Sequence, residues 1–332
     1  VASADRDFSY VVPVRWSDGE QRDALAGYLR ELCRHCAEPI VVDGSPGPVF
    51  RANAAAWGEH ATHVAPDPAE SCLNGKVAGV RTGIHLASHE RVVIADDDVR
   101  YDPASLRRTV DLLDLHDLVR PQNYFEPLPW HACWDTARTL LNRSAGRDYP
   151  GTLAVRRSRM LAMGCYDGDV LFENLELIRT VLADGGRVAS PLDLYVARLP
   201  PSASHFWSQR IRQAYDDFAI PGRMAAWLAV PPLLVLAGLR RQAAVPLALA
   251  GLSVLAAERG RRRAGGRRVF PARSSLLAPV WILERALCSW LALGQRLRSG
   301  GTRYAGQTIK VAAHSEAELR RRREALTASA RP

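Results

Sequence analysis

The sequence predicts an α/β fold, a sheet flanked by helices, followed by helices apolar enough to meet a membrane. Three observations predict it. Short Val/Ile-rich runs alternate with segments of helical spacing through the first two hundred residues, the pattern of strands joined by crossover helices. One run, Arg91-Val-Val-Ile-Ala, ends in three consecutive carboxylates, Asp96, Asp97 and Asp98. Beyond Pro200 the text turns into long apolar stretches punctuated by arginines. A chain of 332 residues suits one large domain with an appendage, or two domains. Its 47 % hydrophobic content is enough for a sizeable core.

Residues 9–14 (Ser-Tyr-Val-Val-Pro-Val) form the first apolar run, and residues 21–36 carry helical spacing through Leu25, Tyr28, Leu29 and Leu32. Residues 39–43 read as the next strand, closed by the turn-rich Gly44-Ser-Pro-Gly-Pro48. A short third strand is expected over 61–64. Asn74-Gly-Lys76 opens a helix that leads into the strand before Asp96. Aromatic residues crowd 117–150, residues 152–157 read as a further strand with a short helix after it, and 172–182 is a helix with acids in its first turn, where the helix dipole favours them. It stops at Gly185-Gly186, as helices often do. No glycine fingerprint G-x-G-x-x-G is present, so a nicotinamide or flavin Rossmann domain is not expected.

After Pro200 come apolar runs at 224–239 and 243–257, each a little short of the ~20 residues of a spanning helix. They are separated by Arg240-Arg241-Gln242 and followed by six arginines between Glu258 and Arg268, the kind of flank expected on the cytoplasmic side. A third run, 276–293, is broken by Glu284-Arg285. A charge pair is costly in hydrocarbon, so this run is expected to lie in the interface. The expected plan is a catalytic domain over 1–205, an amphipathic connector over 206–223, membrane helices over 224–294 and a basic tail over 295–332. No leader is expected, because Asp5, Arg6 and Asp7 interrupt the start.

Charge is divided unevenly. Residues 1–205 hold 22 basic against 28 acidic side chains, and residues 206–332 hold 22 against 7. The six cysteines form no disulfide framework, and Cys33-Arg-His-Cys36 lacks the second pair a structural zinc site needs. Arginine patches could attract nucleic acid, but they flank apolar runs and lack interleaved aromatics, so no nucleic-acid partner is expected.

Three carboxylates at a strand's end repel one another unless a cation sits among them. A hard divalent ion, Mg²⁺ or Mn²⁺, prefers such oxygens and bridges readily to a diphosphate. In an extended chain Asp96 and Asp98 would share one side and Asp97 the other. A haloacid-dehalogenase-like phosphohydrolase also places an acidic pair after an apolar strand, but near the start of its domain. Here some four elements precede it, and Arg100 stands where such enzymes have Thr or Val.

Six short motifs, in order, give a more specific reading. Tyr10-Val-Val-Pro-Val14 resembles the first strand of the family 2 glycosyltransferases with a GT-A fold. Val41-Val-Asp43-Gly-Ser45 resembles their VVDxGS turn, Asn74-Gly-Lys76-Val-Ala-Gly-Val-Arg-Thr-Gly83 their NGKxxALNxG helix start, and Ile94-Ala-Asp96-Asp-Asp98 their DxD strand end. Glu173-Asn-Leu-Glu176-Leu177 is similar to the acceptor-side ExxEL pattern, and Gln209-Arg-Ile-Arg212 to the QxxRW motif of membrane synthases such as ceramide glucosyltransferase. The resemblance spans residues 8–218. It implies a mixed sheet, a nucleotide-diphosphate sugar donor, and a metal held by Asp96 and Asp98. It also implies donor contacts from Asp43, Lys76, Asp96, Gln209 and Arg210, a diphosphate clamp at Arg212, and an inverting displacement with Glu173 or Glu176 as base. The chain departs from the family at Gln213, where QxxRW has Trp, and at Asn174, where many relatives have Asp. A lipid or lipid-linked acceptor at the cell membrane is expected, with the catalytic domain cytosolic. A catalytically impaired relative is the alternative that Asn174 raises.

Overall fold

The computed structural model describes residues 7–19, 21–304 and 306–329. The expected absence of a leader rests partly on residues 1–6, and the end of the basic tail on 330–332; both lie outside the described residues. In chain order the first elements are β1 (Ser9–Val14), α1 (Arg22–Leu32), β2 (Glu38–Asp43), α2 (Gly47–Trp57), β3 (Thr62–Val64), α3 (Gly75–Leu86) and β4 (Arg91–Ala95). Then follow β5 (Val99–Arg100), α4 (Pro103–Asp111), β6 (Leu118–Val119), β7 (Gln122–Phe125), α5 (Trp130–Ala145), β8 (Thr152–Arg156), α6 (Arg157–Ala162), α7 (Glu173–Ala183), β9 (Val188–Ala189) and β10 (Tyr195–Arg198). The remainder is α8 (Ala203–Ser208), α9 (Arg210–Tyr215), α10 (Pro221–Leu239), α11 (Ala244–Arg262), α12 (Ala272–Leu276), α13 (Ala278–Ser299), the hairpin β11 (Thr302–Tyr304) and β12 (Gln307–Ile309), and α14 (Glu316–Ser329).

The chain divides into two units. One comprises Val1–Pro121, Pro150–Val196 and His314–Pro332; the other comprises Gln122–Tyr149 and Ala197–Ala313. The first unit holds a seven-stranded sheet in the order β3-β2-β1-β4-β8-β6-β9. Strands β3, β2, β1 and β4 run parallel, β8 is antiparallel to β4 and β6, and β6 pairs parallel with β9. The sheet is therefore mixed, because residues 152–156 enter it beside β4 in the opposite sense. Its two faces are dry. Tyr10, Val12, Val41 and Val93 pack on one side with Leu25, Leu29 and Trp57, and Val11, Val42, Val92 and Ile94 on the other with Val77, Val80 and Ile84. Strands buried on both faces read as continuous apolar runs, which is why the sequence gives them away. Gly83 lets α3 lie against β1: a Cβ there would stand 2.3 Å from Val11 Cγ1.

In the second unit, α5, α11, α12 and α13 pack together, as do α10 and α13. Helix α11 continues past the apolar run 243–257 to Arg262, and its buried residues Ser253, Ala257 and Gly260 share one face. Glu258 pairs with Arg261 and Arg262, both at 2.6 Å. The arginine flank is thus partly helical, and some of its charge is used within the fold. Among the described residues only α10 is long and apolar enough to cross a membrane, and 11 % of its apolar window is buried within the chain. The two-helix hairpin expected from the apolar runs is not established.

Residues 276–293 are helical, as expected, but their charges face inward. Arg285 is 5 % exposed, while Leu283, Leu287, Trp290 and Leu291 lie open. The outer face of α13 is therefore apolar without the charge pair that the sequence seemed to place on it.

Gly260 is where α11 comes closest to α5: a Cβ would stand 1.9 Å from the Leu140 carbonyl oxygen. Gly260→Ala should therefore push the helices apart at a cost of about 1–3 kcal/mol. A lowered unfolding midpoint in differential scanning calorimetry is the expected result, against no lowering for Gly251→Ala, a helical position where a Cβ meets nothing within 4 Å.

Candidate active site

Parallel pairing brings the carboxyl ends of β2, β1 and β4 side by side, where ligands of open α/β sheets bind. Val14 pairs with Asp43 in register, and β4 runs out at Ala95 just before the three aspartates. The aspartates do not continue the strand. The Val99 amide donates to the Asp96 carbonyl at 3.1 Å, and the Asp96 amide to the Gly151 carbonyl at 2.9 Å. The three carboxylates thus ride on a tight turn, and the strand alternation expected for Asp96 and Asp98 does not apply. Asp97 is nonetheless set apart: its Oδ2 accepts from the Trp16 indole at 2.5 Å.

Lys76 organises the site. Asn74 caps α3 by accepting from the Lys76 amide at 3.1 Å, so the lysine side chain leaves from the first turn. Its Nζ lies 2.5 Å from Asp96 Oδ1 and 2.7 Å from Glu173 Oε1. Burial works against the ammonium, but Asp96 and then Glu173 outweigh it and hold the lysine well above its ordinary value. The first turn of α3, the end of β4 and the N-terminus of α7 are joined at one cation.

The other acidic residues are differently engaged. Asp43 is buried; it accepts from the Ser45 amide at 2.8 Å and the Asn53 side chain at 2.9 Å, and faces His63 Nε2 at 3.0 Å. Burial pushes its carboxyl up, yet the bonds from His63, Ser45 and Asn53 prevail and bring it down to about 2. Glu176 is fully buried, one turn beyond Glu173. Its two oxygens meet the His314 amide at 2.7 Å and His314 Nδ1 at 2.9 Å. Asn174 donates its side-chain amide to the Pro150 carbonyl at 2.9 Å, a bond that an aspartate could not supply. Asp167, Glu176 and His314 place ligand atoms within 4.8 Å of one another. This group also draws on Arg322, 3.1 Å from Asp167.

The Gln209–Arg212 segment belongs to the second unit. Arg212 donates to Gln209 Oε1 and lies over the Tyr304 ring at 5.2 Å. Arg210 is buried, 2.8 Å from Asp135 and 2.5 Å from Glu284, with a bond to Gln213 at 2.9 Å. Its guanidinium is engaged inside its own unit by these three side chains. Gln213, in place of the motif's Trp, is part of that arrangement. Cys36 is likewise structural: its thiol donates to the Phe8 carbonyl at 3.3 Å, and burial pushes it up to about 12.

Two residues escaped sequence reasoning. Trp16 links the Asp43 turn to the aspartate turn, donating its amide to Ser45 Oγ at 2.9 Å as well as its indole to Asp97. His314 lies 138 positions from Glu176, and no local pattern marks it.

No protein-family model matches the chain, and no curated protein matches it. Solved structures do. The mannosyltransferase of Pyrobaculum calidifontis, in complex with GDP-mannose and Mn²⁺, superposes with a TM-score of 0.51 at 18 % identity, over 86 % of this chain and 88 % of that one. The two share a fold. The glucosyl-3-phosphoglycerate synthase of Mycobacterium tuberculosis, in complex with Mn²⁺ and UDP-glucose, matches at 18 % identity over 64 % of this chain and 78 % of that one, with a TM-score of 0.43. The shared fold bears out the α/β architecture with a mixed, helix-flanked sheet.

The His314–Glu176 contact sets a pH dependence. The hydrogen bond to Glu176 raises His314 above its ordinary value, against the opposing effect of burial. A raised histidine stabilises the fold fully below the unfolded value of about 6.5, and that contribution is lost as pH rises through the folded value. The unfolding midpoint of the wild type should therefore drop more steeply above about pH 6.5 than that of His314→Gln. Parallel curves between pH 5.5 and 8.5 would contradict this.

Proposed function

We propose that the chain is an inverting glycosyltransferase that moves a sugar from a nucleoside diphosphate to a lipid or lipid-linked acceptor at a membrane surface. The observation that carries this reading is the convergence of Asp96, Glu173 and Lys76 beside the parallel strand ends, in a fold shared with a mannosyltransferase solved with GDP-mannose and Mn²⁺. Departure of a nucleoside diphosphate needs its charge neutralised, and the acceptor's proton needs a carboxylate to receive it.

The carboxylates fit a hard divalent cation. Asp96 and Asp98 supply oxygen donors from one turn, and Mg²⁺ or Mn²⁺ held there would neutralise the leaving diphosphate. Glu173, pinned by Lys76 at the first position of α7, takes the proton of the acceptor hydroxyl. The oxygen so released bonds to the anomeric carbon, the bond from that carbon to the diphosphate breaks, and the nucleoside diphosphate departs. One displacement inverts the centre. Glu176, buried against His314, is too enclosed for this task. Arg212 and Gln209 act as the diphosphate clamp, and Asp43 shapes the turn that receives the nucleotide.

The membrane reading rests on α10, an apolar helix largely uncovered by the rest of the chain, and on the open leucines of α13. Arg212 precedes Pro221 by few residues, so the clamp enters the membrane-proximal part of the chain. On this reading the catalytic unit belongs in the cytosol, and the arginines near both ends of α11 would meet anionic headgroups.

Detergent-solubilised protein, supplied with labelled UDP- or GDP-sugars and membrane lipid extract, should move label into the organic phase. Asp98→Asn should abolish transfer while the circular dichroism spectrum is unchanged. Transfer undiminished in EDTA would overturn the metal assignment. Label confined to water-soluble oligosaccharide or protein would overturn the lipid acceptor.

A further inference from the structure

Strand β1 lies between β2 and β4, so the chain that leaves it at Val14 emerges between the turn after Asp43 and the turn after Ala95. Trp16 is the second residue out. The Gly44 amide donates to the Val14 carbonyl at 2.9 Å, and the Trp16 amide donates to Ser45 Oγ at 2.9 Å. The Trp16 ring stands edge to face on Trp57 at 5.2 Å, and Trp57 is fully buried. Held by backbone and by ring, the indole brings Nε1 to Asp97 Oδ2 at 2.5 Å.

The aspartate turn is thereby gripped from both faces of the sheet. Lys76 belongs to α3, whose Val77 and Val80 pack on one face, and it holds Asp96. Trp16 packs with Leu25, Leu29 and Trp57 on the other face, and it holds Asp97. Arg100 Nη1 steadies the same turn by donating to the carbonyls of Asp97 and Val99 at 2.7 and 2.8 Å. Neighbouring carboxylates that would repel each other are drawn to opposite sides. The kind of donor matters as well. An indole N–H makes a charge-assisted bond to a carboxylate without carrying a charge itself. A lysine or arginine in its place would also bind Asp97, but would repel an incoming cation.

We infer that Trp16 is a positioning residue for the divalent cation: acting through Asp97, it fixes the turn from which Asp96 and Asp98 would reach the ion. This role rests on the metal assignment made above and adds the neutral brace that a turn of three carboxylates needs. Groups that orient metal-binding side chains without touching the ion change metal affinity by about ten- to a hundredfold when removed. The lower end suits Trp16, which acts on the turn rather than on a ligand atom.

Trp16→Phe removes the N–H, keeps a ring against Trp57 and leaves the backbone bond to Ser45 in place. Mn²⁺ is titrated into the full-length protein with a UDP- or GDP-sugar present, and binding is read from the loss of the free-ion electron paramagnetic resonance signal. In the wild-type background Trp16→Phe should weaken binding about tenfold. In an Asp97→Ala background the same substitution should change nothing, because the acceptor is already gone. Any loss of packing on Trp57 is common to both backgrounds and cancels. Equal weakening in both would mean that Trp16 acts through packing alone, and would overturn the role, as would unchanged affinity in the wild-type background. Outright loss of the ion in Asp97→Ala would make Asp97 a ligand, which also overturns it. Asp98→Asn tells this failure from that of the metal assignment: it should release the ion, and an ion retained there would overturn the assignment and the role of Trp16 together.

Discussion

The structure of the first unit depends on the placement of one ammonium group between two carboxylates. Lys76 holds Asp96 at the end of β4 and Glu173 at the start of α7, residues 77 positions apart. Taken singly, each carboxylate would resist burial and repel the other. The lysine makes their proximity favourable, and the same contacts favour its charged form against the opposing effect of burial. The lysine leaves from a helix start fixed by the Asn74 cap, and it meets Asp96 on the tight turn that follows β4.

A comparable arrangement of buried charge holds the helical unit together. Arg210 satisfies Asp135 and Glu284, and Arg138 satisfies Asp135 and Asp148. Burial raises the cost of the Asp135 carboxylate, but Arg138 and Arg210 hold its proton affinity far below the usual range. Drawing Glu284 and Arg285 inward leaves the outer surface of α13 apolar. A helix that looks interrupted in sequence can therefore present an unbroken apolar face, since the interruption lies on its other side.

What could be read from the sequence was whatever is local. The strands of the sheet, the Asn74 cap, the acidic start of α7 and its glycine stop are written within a few residues of where they act. So was the grouping of Asp96 with Lys76 and Glu173 as candidate residues, though not their direct contact. Pairings across long separations were not legible: Trp16 with Asp97, 81 positions on, His314 with Glu176, and Arg210 with its acids 75 and 74 positions away. Such contacts impose no period on the chain. The same limit explains why 243–257 looked like a free apolar helix. Its packing against α5 is set by Gly260, a residue with no side chain to reveal it.

The central claim is that the turn after β4 is where a divalent cation and a sugar nucleotide meet. Electron paramagnetic resonance of Mn²⁺, titrated into the protein with a nucleoside-diphosphate sugar, tests it most directly. One bound ion per chain is predicted for the wild type and for Glu176→Gln, and loss of that ion for Asp96→Asn and Asp98→Asn. Retention of the ion in both aspartate variants, with its loss in Glu176→Gln, would contradict the account and move the metal to the Asp167–Glu176–His314 group.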